Sequence, residues 1–341
     1  MNILVIGGTR FMGPHVVGRL AAHGHSVTVF NRGRTPAVLP KGVRHLIGDR
    51  DDIEAHRKEL LDFHPEVVID MMLLNEKQAA ELVRLFGGMA RKIVVASSGD
   101  VYLRYDQLRG REPGEGDKTP VTEESSLRHV YYPYRETASG EGDRMYWYDK
   151  ILAERTVLTC PDLSAVILRL PMVYGPEDYQ HRWRRYVRRM RDKRRVILLG
   201  EAEAAGRMTR AYSENCAAAI VLAAEHDQSG DRVYNVGDHD TPDELTWVSL
   251  IAESMDWDGR VATMPDKDLP PHLQSGVDWR FQFEIDTSRI RSELGFVESV
   301  NRQEALRRTI AWEMEVLKTE PCPEDEYQAE DTVLARRSQG R

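Results

Sequence analysis

The sequence predicts an α/β protein: a doubly wound parallel sheet with a smaller C-terminal lobe. Three observations carry that expectation. The first is the apolar run Asn2-Ile3-Leu4-Val5-Ile6, which leads straight into Gly7-Gly8-Thr9-Arg10-Phe11-Met12-Gly13. The second is a series of short buried-strand signals at 3–6, 27–30, 43–47, 67–70, 93–96 and 166–170, separated by helical segments such as 13–23 and 76–86. Apolar runs alternating with helices mean parallel strands covered on both faces. The third is size, since 341 residues with 41% hydrophobic content suffice for a full sheet domain and a second lobe.

Each element has a local reason. Gly7 allows a sharp turn after the first strand, and Gly13, six residues on, allows the following helix to pack closely. Together with Gly8, Thr9, Arg10, Phe11 and Met12 they place backbone N–H groups at a helix N-terminus, a cradle for a pyrophosphate. The second strand, 26–30, follows at strand–helix–strand distance and ends in Asn31-Arg32-Gly33-Arg34. This is a Rossmann-type dinucleotide fingerprint with one anomaly, Arg10, which stands where a third glycine is usual.

After Arg169 the pattern loosens through Pro171, Gly175 and Pro176 into a basic helical segment, a strand near 196–199 and helices around 243–253 and 303–317. The expected division is a dinucleotide-binding domain over 1–172, with 211–240 returning to it, and a substrate-binding lobe from 173–210 and 241–319. Residues 320–341, with Pro321, Pro323 and no periodic apolar face, read as a flexible tail.

The formal net charge of −8 argues against binding nucleic acid through the overall field. Cys160, Cys216 and Cys322 lie far apart, without the paired spacing of a zinc site or a disulfide framework, so no metal is expected and a reducing cytoplasm is. No signal-peptide pattern opens the chain and no long apolar run crosses it, so a soluble protein is expected, with no membrane partner.

The segment Tyr146-Trp147-Tyr148-Asp149-Lys150 puts a phenol and an ammonium four residues apart, on one face if the segment is helical. A lysine cation beside a tyrosine favours the phenolate, which suits acid–base work near neutral pH. Upstream, Ile93-Val94-Val95-Ala96-Ser97-Ser98 is a buried strand that ends in hydroxyls at the sheet edge where ligands bind.

Taken with Ser97-Ser98-Gly99-Asp100-Val101-Tyr102, Leu168-Arg169-Leu170-Pro171-Met172-Val173-Tyr174-Gly175-Pro176 and Tyr234-Asn235-Val236-Gly237, these motifs resemble the extended short-chain dehydrogenase/reductase superfamily, in its NAD-dependent epimerase/dehydratase group. The resemblance implies that Tyr146 exchanges a proton with substrate, Lys150 holds the nicotinamide ribose, and Ser98 bonds the reacting oxygen. It places Asp49 at an adenine contact, Met71 where small residues line the nicotinamide ribose, and Pro171 and Val173 near the nicotinamide amide. It also implies a carbohydrate-like substrate, with a nucleotide-sugar as one form, and a homodimer. The reaction stays open among epimerase, dehydratase and net reductase.

NADP is favoured over NAD, because Asn31 replaces the acidic residue that would repel a 2′-phosphate and Arg10, Arg32 and Arg34 are close in sequence to the cradle. The irregular stretch 103–145 reads as a lid or as a surface excursion. For the arginine-rich run 182–191 three readings stand: a solvated cationic helix face, a grip on a substrate diphosphate, or an RNA footprint. The Gly-Gly-Thr-Arg-Phe form of the cradle is also similar to that of chloroplast stem-loop-binding proteins, so an RNA-associated role, or a cofactor-sensing regulator without turnover, is the alternative function.

Overall fold

A computed structural model describes residues 1–115, 118–227 and 230–339. Gly116 and Asp117 of the 103–145 loop, residues 228 and 229 of the 211–240 segment, and the last two residues of the expected tail lie outside the described residues.

Seven parallel strands make the main sheet: β1 (Asn2–Ile6), β2 (Ser26–Asn31), β3 (Arg44–Ile47), β4 (Val67–Asp70), β5 (Lys92–Ser98), β6 (Ser164–Leu170) and, from late in the chain, β10 (Arg232–Asn235). Between β6 and β10 come β7 (Met172–Tyr174), β8 (Val196–Gly200) and β9 (Arg210–Tyr212), and β11 (Arg260–Met264) follows. The order across the sheet is β10-β6-β5-β4-β1-β2-β3, with β7 paired to β9 and β8 paired to β11 in two small parallel sheets. The order turns back between β1 and β4, so β1 and β4 open a crevice at their C-terminal ends, the place where such sheets bind ligands.

Both faces of the sheet are packed over its central strands, which are apolar on both sides; the edge strand β3, Arg44-His45-Leu46-Ile47, is largely exposed, which corrects the buried strand expected at 43–47. Ile3, Val5, Val29 and Ile69 meet the helices Gly13–Ala22 and Ser213–Glu225 on one face, while Leu4, Ile6, Val68 and Ile93 meet the helices Glu76–Phe86 and Lys150–Leu158 on the other. Each fully buried aliphatic side chain of this kind contributes about 1.5–3 kcal/mol, and the two layers hold the strand ends in fixed register. A third cluster around Trp183, Trp247, Tyr174 and Ile310 forms the core of the C-terminal part.

The end of the chain differs from the flexible tail that its prolines suggest. Residues Glu324–Gln339 form a helix, and Glu330 on it is fully buried against Arg189. The Tyr327 hydroxyl donates to Asp192 at 2.6 Å, and Arg194 pairs with Asp331. The helix lacks an apolar face strong enough to show as a periodic stripe; these charge partners hold it together with Val333 and Leu334, which pack on Leu198, Ala262 and Met264.

Candidate active site

The glycine turn after β1 is built for close approach. Gly7 (φ 102°) and Gly8 (φ 83°) occupy the left-handed region that side-chain-bearing residues avoid. Gly13 has a different reason, because a Cβ there would stand 2.5 Å from the Gly8 carbonyl carbon. Arg10 is absent from the positive-φ positions and its side chain is exposed, so the missing third glycine leaves no backbone strain. The left-handed position falls on Phe11 instead (φ 53°). Its N–H donates to Glu177 Oε2 at 3.1 Å, so a carboxylate already sits on a donor of the cradle. Met12 caps the helix without a side-chain bond, and Thr9 is half-buried in the turn.

Asn31 is consumed at the end of β2. Its Nδ2 donates to the Gly7 carbonyl at 3.1 Å, while its Oδ1 accepts from the Gly33 N–H at 2.8 Å and lies 3.1 Å from His45 Nε2. It fastens β2 to the glycine turn. Arg10, Arg32 and Arg34 are exposed, and among the described residues none of their guanidinium groups has a hydrogen-bond or ion-pair partner. Asp49 accepts from the Asp51 N–H at 3.0 Å as a turn cap. Met71 and Met72 wall the turn, since a Cβ on Gly7 would meet them at 3.4 and 3.1 Å.

At the end of β5, Ser98 Oγ accepts from the Asp100 N–H at 3.2 Å. Lys150 is buried, and its Nζ donates to the Leu73 carbonyl at 2.5 Å and the Ala96 carbonyl at 2.8 Å, bridging the ends of β4 and β5. Burial lowers its pKa, opposed by the carboxylates of Asp100, Asp70 and Glu154. Pro171 is half-buried and Val173 buried on either side of Met172, where β7 begins.

Tyr146 and Lys150 do not share a helix, which corrects the expectation from their spacing. The helix starts at Lys150, because Asp149 caps it by accepting from the Leu152 N–H at 3.2 Å. Arg128 grips the same buried Asp149 carboxylate with two bonds of 3.1 Å, and the Tyr132 N–H adds a third at 2.7 Å. Tyr146 therefore lies in the preceding turn, half-exposed, with the Arg135 guanidinium 4.9 Å from its ring centroid and the Trp147 ring at 5.0 Å. Among the described residues its hydroxyl bonds neither Ser98 nor Lys150.

The phenol that reaches Ser98 is Tyr148. Its hydroxyl donates to Asp100 Oδ2 at 2.7 Å and also bonds the Ser98 side chain; burial, then the Asp100 charge, raises its pKa well above the phenol range. Tyr134 donates to the same Asp100 oxygen at 3.1 Å. The irregular stretch thus splits its aromatics: Tyr134 and Tyr148 pin it to the sheet, while Tyr132, Tyr146 and Trp147 surround Arg135. Sequence reasoning saw Asp100 only as part of the Ser97–Tyr102 motif and Arg135 only as part of the irregular stretch 103–145, gave neither a role, and passed over Glu177. A signal existed for Asp100, a lone charge directly after an apolar strand, and for Glu177, which follows Gly175-Pro176.

The arginines of 182–191 are all engaged internally. Arg182 pairs with Asp178 at 2.6 Å, Arg184 with Glu313 and Glu320, Arg185 with Glu203 at 2.6 Å, Arg188 with Glu320, Arg189 with Glu326 and Glu330, and Arg191 with Asp192 at 2.7 Å. The helix Arg184–Arg191 turns Val187 and Met190 inward, as an apolar stripe should, while Arg184, Arg188 and Arg189 meet carboxylates late in the chain and Arg185 and Arg191 meet Glu203 and Asp192.

Residues 3–237 match the NAD dependent epimerase/dehydratase family. The chain belongs to that family. Over 177 residues it is 30% identical to 2'-dehydrokanamycin reductase of Streptomyces kanamyceticus, a stretch covering 51% of this chain and 43% of that reductase. It is 26% identical to dTDP-glucose 4,6-dehydratase of Streptomyces niveus over 92% of each chain. Among solved structures it is similar to a UDP-N-acetylglucosamine 4-epimerase from Methanobrevibacter ruminantium M1, in complex with UDP-N-acetylmuramic acid (TM-score 0.68, 19% identity, 92% of this chain and 98% of that one), a likeness of fold. A nicotinamide dinucleotide of the kind this epimerase/dehydratase family uses fits the crevice: the turn takes positive φ at 7 and 8, has no room for a side chain at 13, and its Phe11 donor already accommodates an anion.

Proposed function

We propose that the protein is an NAD(P)-dependent epimerase, dehydratase or reductase acting by hydride transfer on a carbohydrate-like substrate, with NADP preferred over NAD. The observation that carries the reading is Lys150, a buried ammonium bridging the ends of β4 and β5 beside Ser98, at the same sheet edge as the glycine turn. Two carbonyls take two of its protons, leaving the third to reach a ribose hydroxyl. The bound nicotinamide supplies the hydride acceptor or donor. Gly7, Gly8, Gly13 and the Phe11 N–H hold the pyrophosphate, and Met71, Pro171 and Val173 flank the nicotinamide end.

Ser98 orients the reacting oxygen and Tyr146 moves its proton. Of the two tyrosines, Tyr148 has a buried hydroxyl committed to Asp100 and gives up its proton less readily, which makes it an anchor. Tyr146 is accessible, and reaches the reacting oxygen when the segment ahead of Lys150 closes on substrate. NADP preference rests on the free guanidiniums of Arg10, Arg32 and Arg34, in a chain whose other arginine-rich run is fully paired. A nucleotide-sugar remains one form of the substrate on the strength of the relatives' names, but its diphosphate would need a grip other than the arginines of 182–191.

The test is direct binding of NADPH and NADH to the purified protein, followed by dinucleotide oxidation over a panel of free and nucleotide-linked keto-sugars. Tighter NADPH binding and turnover on one member are expected. No binding of either dinucleotide would reject the reading.

A further inference from the structure

Away from the crevice, at the opposite edge of the sheet, three metal-binding side chains converge. His23 follows the helix Gly13–Ala22, His25 directly precedes β2, and Glu225 is the last residue of the helix Ser213–Glu225. His23 Nδ1 lies 2.7 Å and His25 Nε2 2.8 Å from the same oxygen, Glu225 Oε1. The three ligand atoms all lie within 4.8 Å of one another. We propose that His23, His25 and Glu225 form a binding site for a divalent transition metal of the zinc class.

The chemistry of the donors selects that class. Two imidazole nitrogens and one carboxylate oxygen make a borderline-soft set suited to zinc, and poorly suited to calcium or magnesium, which take oxygen ligands. A tetrahedral zinc with bonds of about 2.0–2.1 Å holds its ligand atoms roughly 3.3 Å apart, so each imidazole nitrogen needs to move about half an ångström away from the Glu225 oxygen, with the two nitrogens already within 4.8 Å of each other. His23 is half-exposed, which leaves the fourth position to water, while His25 is mostly buried; the Met1 amine, 3.3 Å from its Nδ1, must turn aside when Nε2 takes the metal, because the bound imidazole then carries its proton on Nδ1.

The scaffold favours a cation at this place. Both helices end here, and their C-terminal carbonyls carry partial negative charge toward the site. The helices already share a core through Val16, Val17, Leu20, Ile220 and Ala224, so the ligands are held by a rigid frame and ordering them costs little. The role follows from position: the site is at the N-terminal ends of the strands, far from the glycine turn, so the metal would staple the two helices and take no part in dinucleotide chemistry. A second convergence, His272 with Glu326 and Glu330, is a weaker candidate because Arg189 already neutralises Glu330.

The experiment is calorimetric titration of the metal-stripped full chain with zinc ion, at a pH above the imidazole range, alongside H23Q, H25Q, E225Q and the control H272Q. One equivalent of zinc is expected to bind the wild type and H272Q alike and to raise the Tm, with at least tenfold weaker binding in each of the other three. Cobalt in place of zinc should give the intense visible bands of a four-coordinate ion, lost in H25Q. Absence of binding, or binding of equal strength in H23Q, H25Q and E225Q, overturns the proposal, and neither result bears on dinucleotide binding.

Discussion

The backbone N–H of Phe11 donates to the carboxylate of Glu177, 3.1 Å away, and both residues hold left-handed backbone (φ 53° and 65°). Each such non-glycine conformation costs roughly 1–2 kcal/mol, so the contact is made against local strain on both sides. It also ties the cradle to the segment after β7 that leads into the C-terminal part, where Asp178 bonds back to Gly175 and holds Arg182. A pyrophosphate on the same donor would meet a carboxylate of like charge, so Glu177 must withdraw when a dinucleotide binds. E177Q should therefore bind NADP(H) about tenfold more tightly, about 1.4 kcal/mol, with the gain shrinking as salt is raised. Equal dissociation constants for E177Q and wild type at low salt would show that Glu177 does not compete for this position.

Most of the sheet was legible in the sequence because its central strands are apolar runs bounded by turns, whereas the edge strand β3, Arg44-His45-Leu46-Ile47, is largely exposed. The glycine turn was legible for the same kind of reason, since Gly7, Gly8 and Gly13 answer to backbone conformation and close approach that few residues allow. What spacing could not reveal was pairing across long separations. The four-residue interval from Tyr146 to Lys150 suggested one helix face, but the N-cap at Asp149 depends on Arg128, whose position in space no local pattern encodes. The charged run 182–191 read as solvated, as a phosphate grip or as an RNA footprint because the partners of Arg184, Arg188 and Arg189, namely Glu313, Glu320, Glu326 and Glu330, lie more than a hundred residues later. The same pairing turned the expected tail into a docked helix.

Selectivity for the 2′-phosphate should reside in the unpaired guanidiniums near the end of β2. Asn31, committed to Gly7 and Gly33, stands at the end of β2 where an acidic residue would accept a ribose hydroxyl, and Arg10 and Arg32 are exposed without partners among the described residues. The double variant R10A/R32A should lose about tenfold or more in NADPH affinity, of the order of two charge-assisted hydrogen bonds weakened by solvent, and leave NADH nearly unchanged. Parallel titrations with both dinucleotides read this out. An NADPH-to-NADH affinity ratio that stays where it was would leave Arg10 an unexplained departure from the glycine pattern.

Docking of the C-terminal helix depends on a buried ion pair, Arg189 with Glu330, whose side chains are 3% and 0% exposed. Removing the Glu330 charge leaves the buried Arg189 with only the part-exposed Glu326 carboxylate, 3.3 Å away, so the cost falls below the roughly 3–5 kcal/mol of a buried charge left with no partner. E330Q is expected to lower the Tm and to make 324–339 sensitive to limited proteolysis, whereas R195A, at an exposed pair with Asp258, should do little. Resistance of E330Q to protease, together with an unchanged Tm, would mean that this pair does not hold the helix.

The two tyrosines flanking Trp147 make opposite predictions, and comparing them tests the catalytic assignment. If Tyr146 carries the proton, Y146F should lower kcat by roughly 10²–10⁴ while dinucleotide affinity stays within a factor of two or so, because the lost hydroxyl acts only in the reaction. Y148F should do the reverse. It removes one of two phenols bonded to Asp100 Oδ2, so it should cost about 1–2 kcal/mol of stability and loosen the segment ahead of Lys150, with a modest change in kcat. Thermal melts and steady-state rates on the same two variants separate these outcomes. A large kcat loss in Y148F with Y146F active would transfer the proton to the phenol that already touches Ser98, and Asp100 would then hold the acid in place instead of the loop.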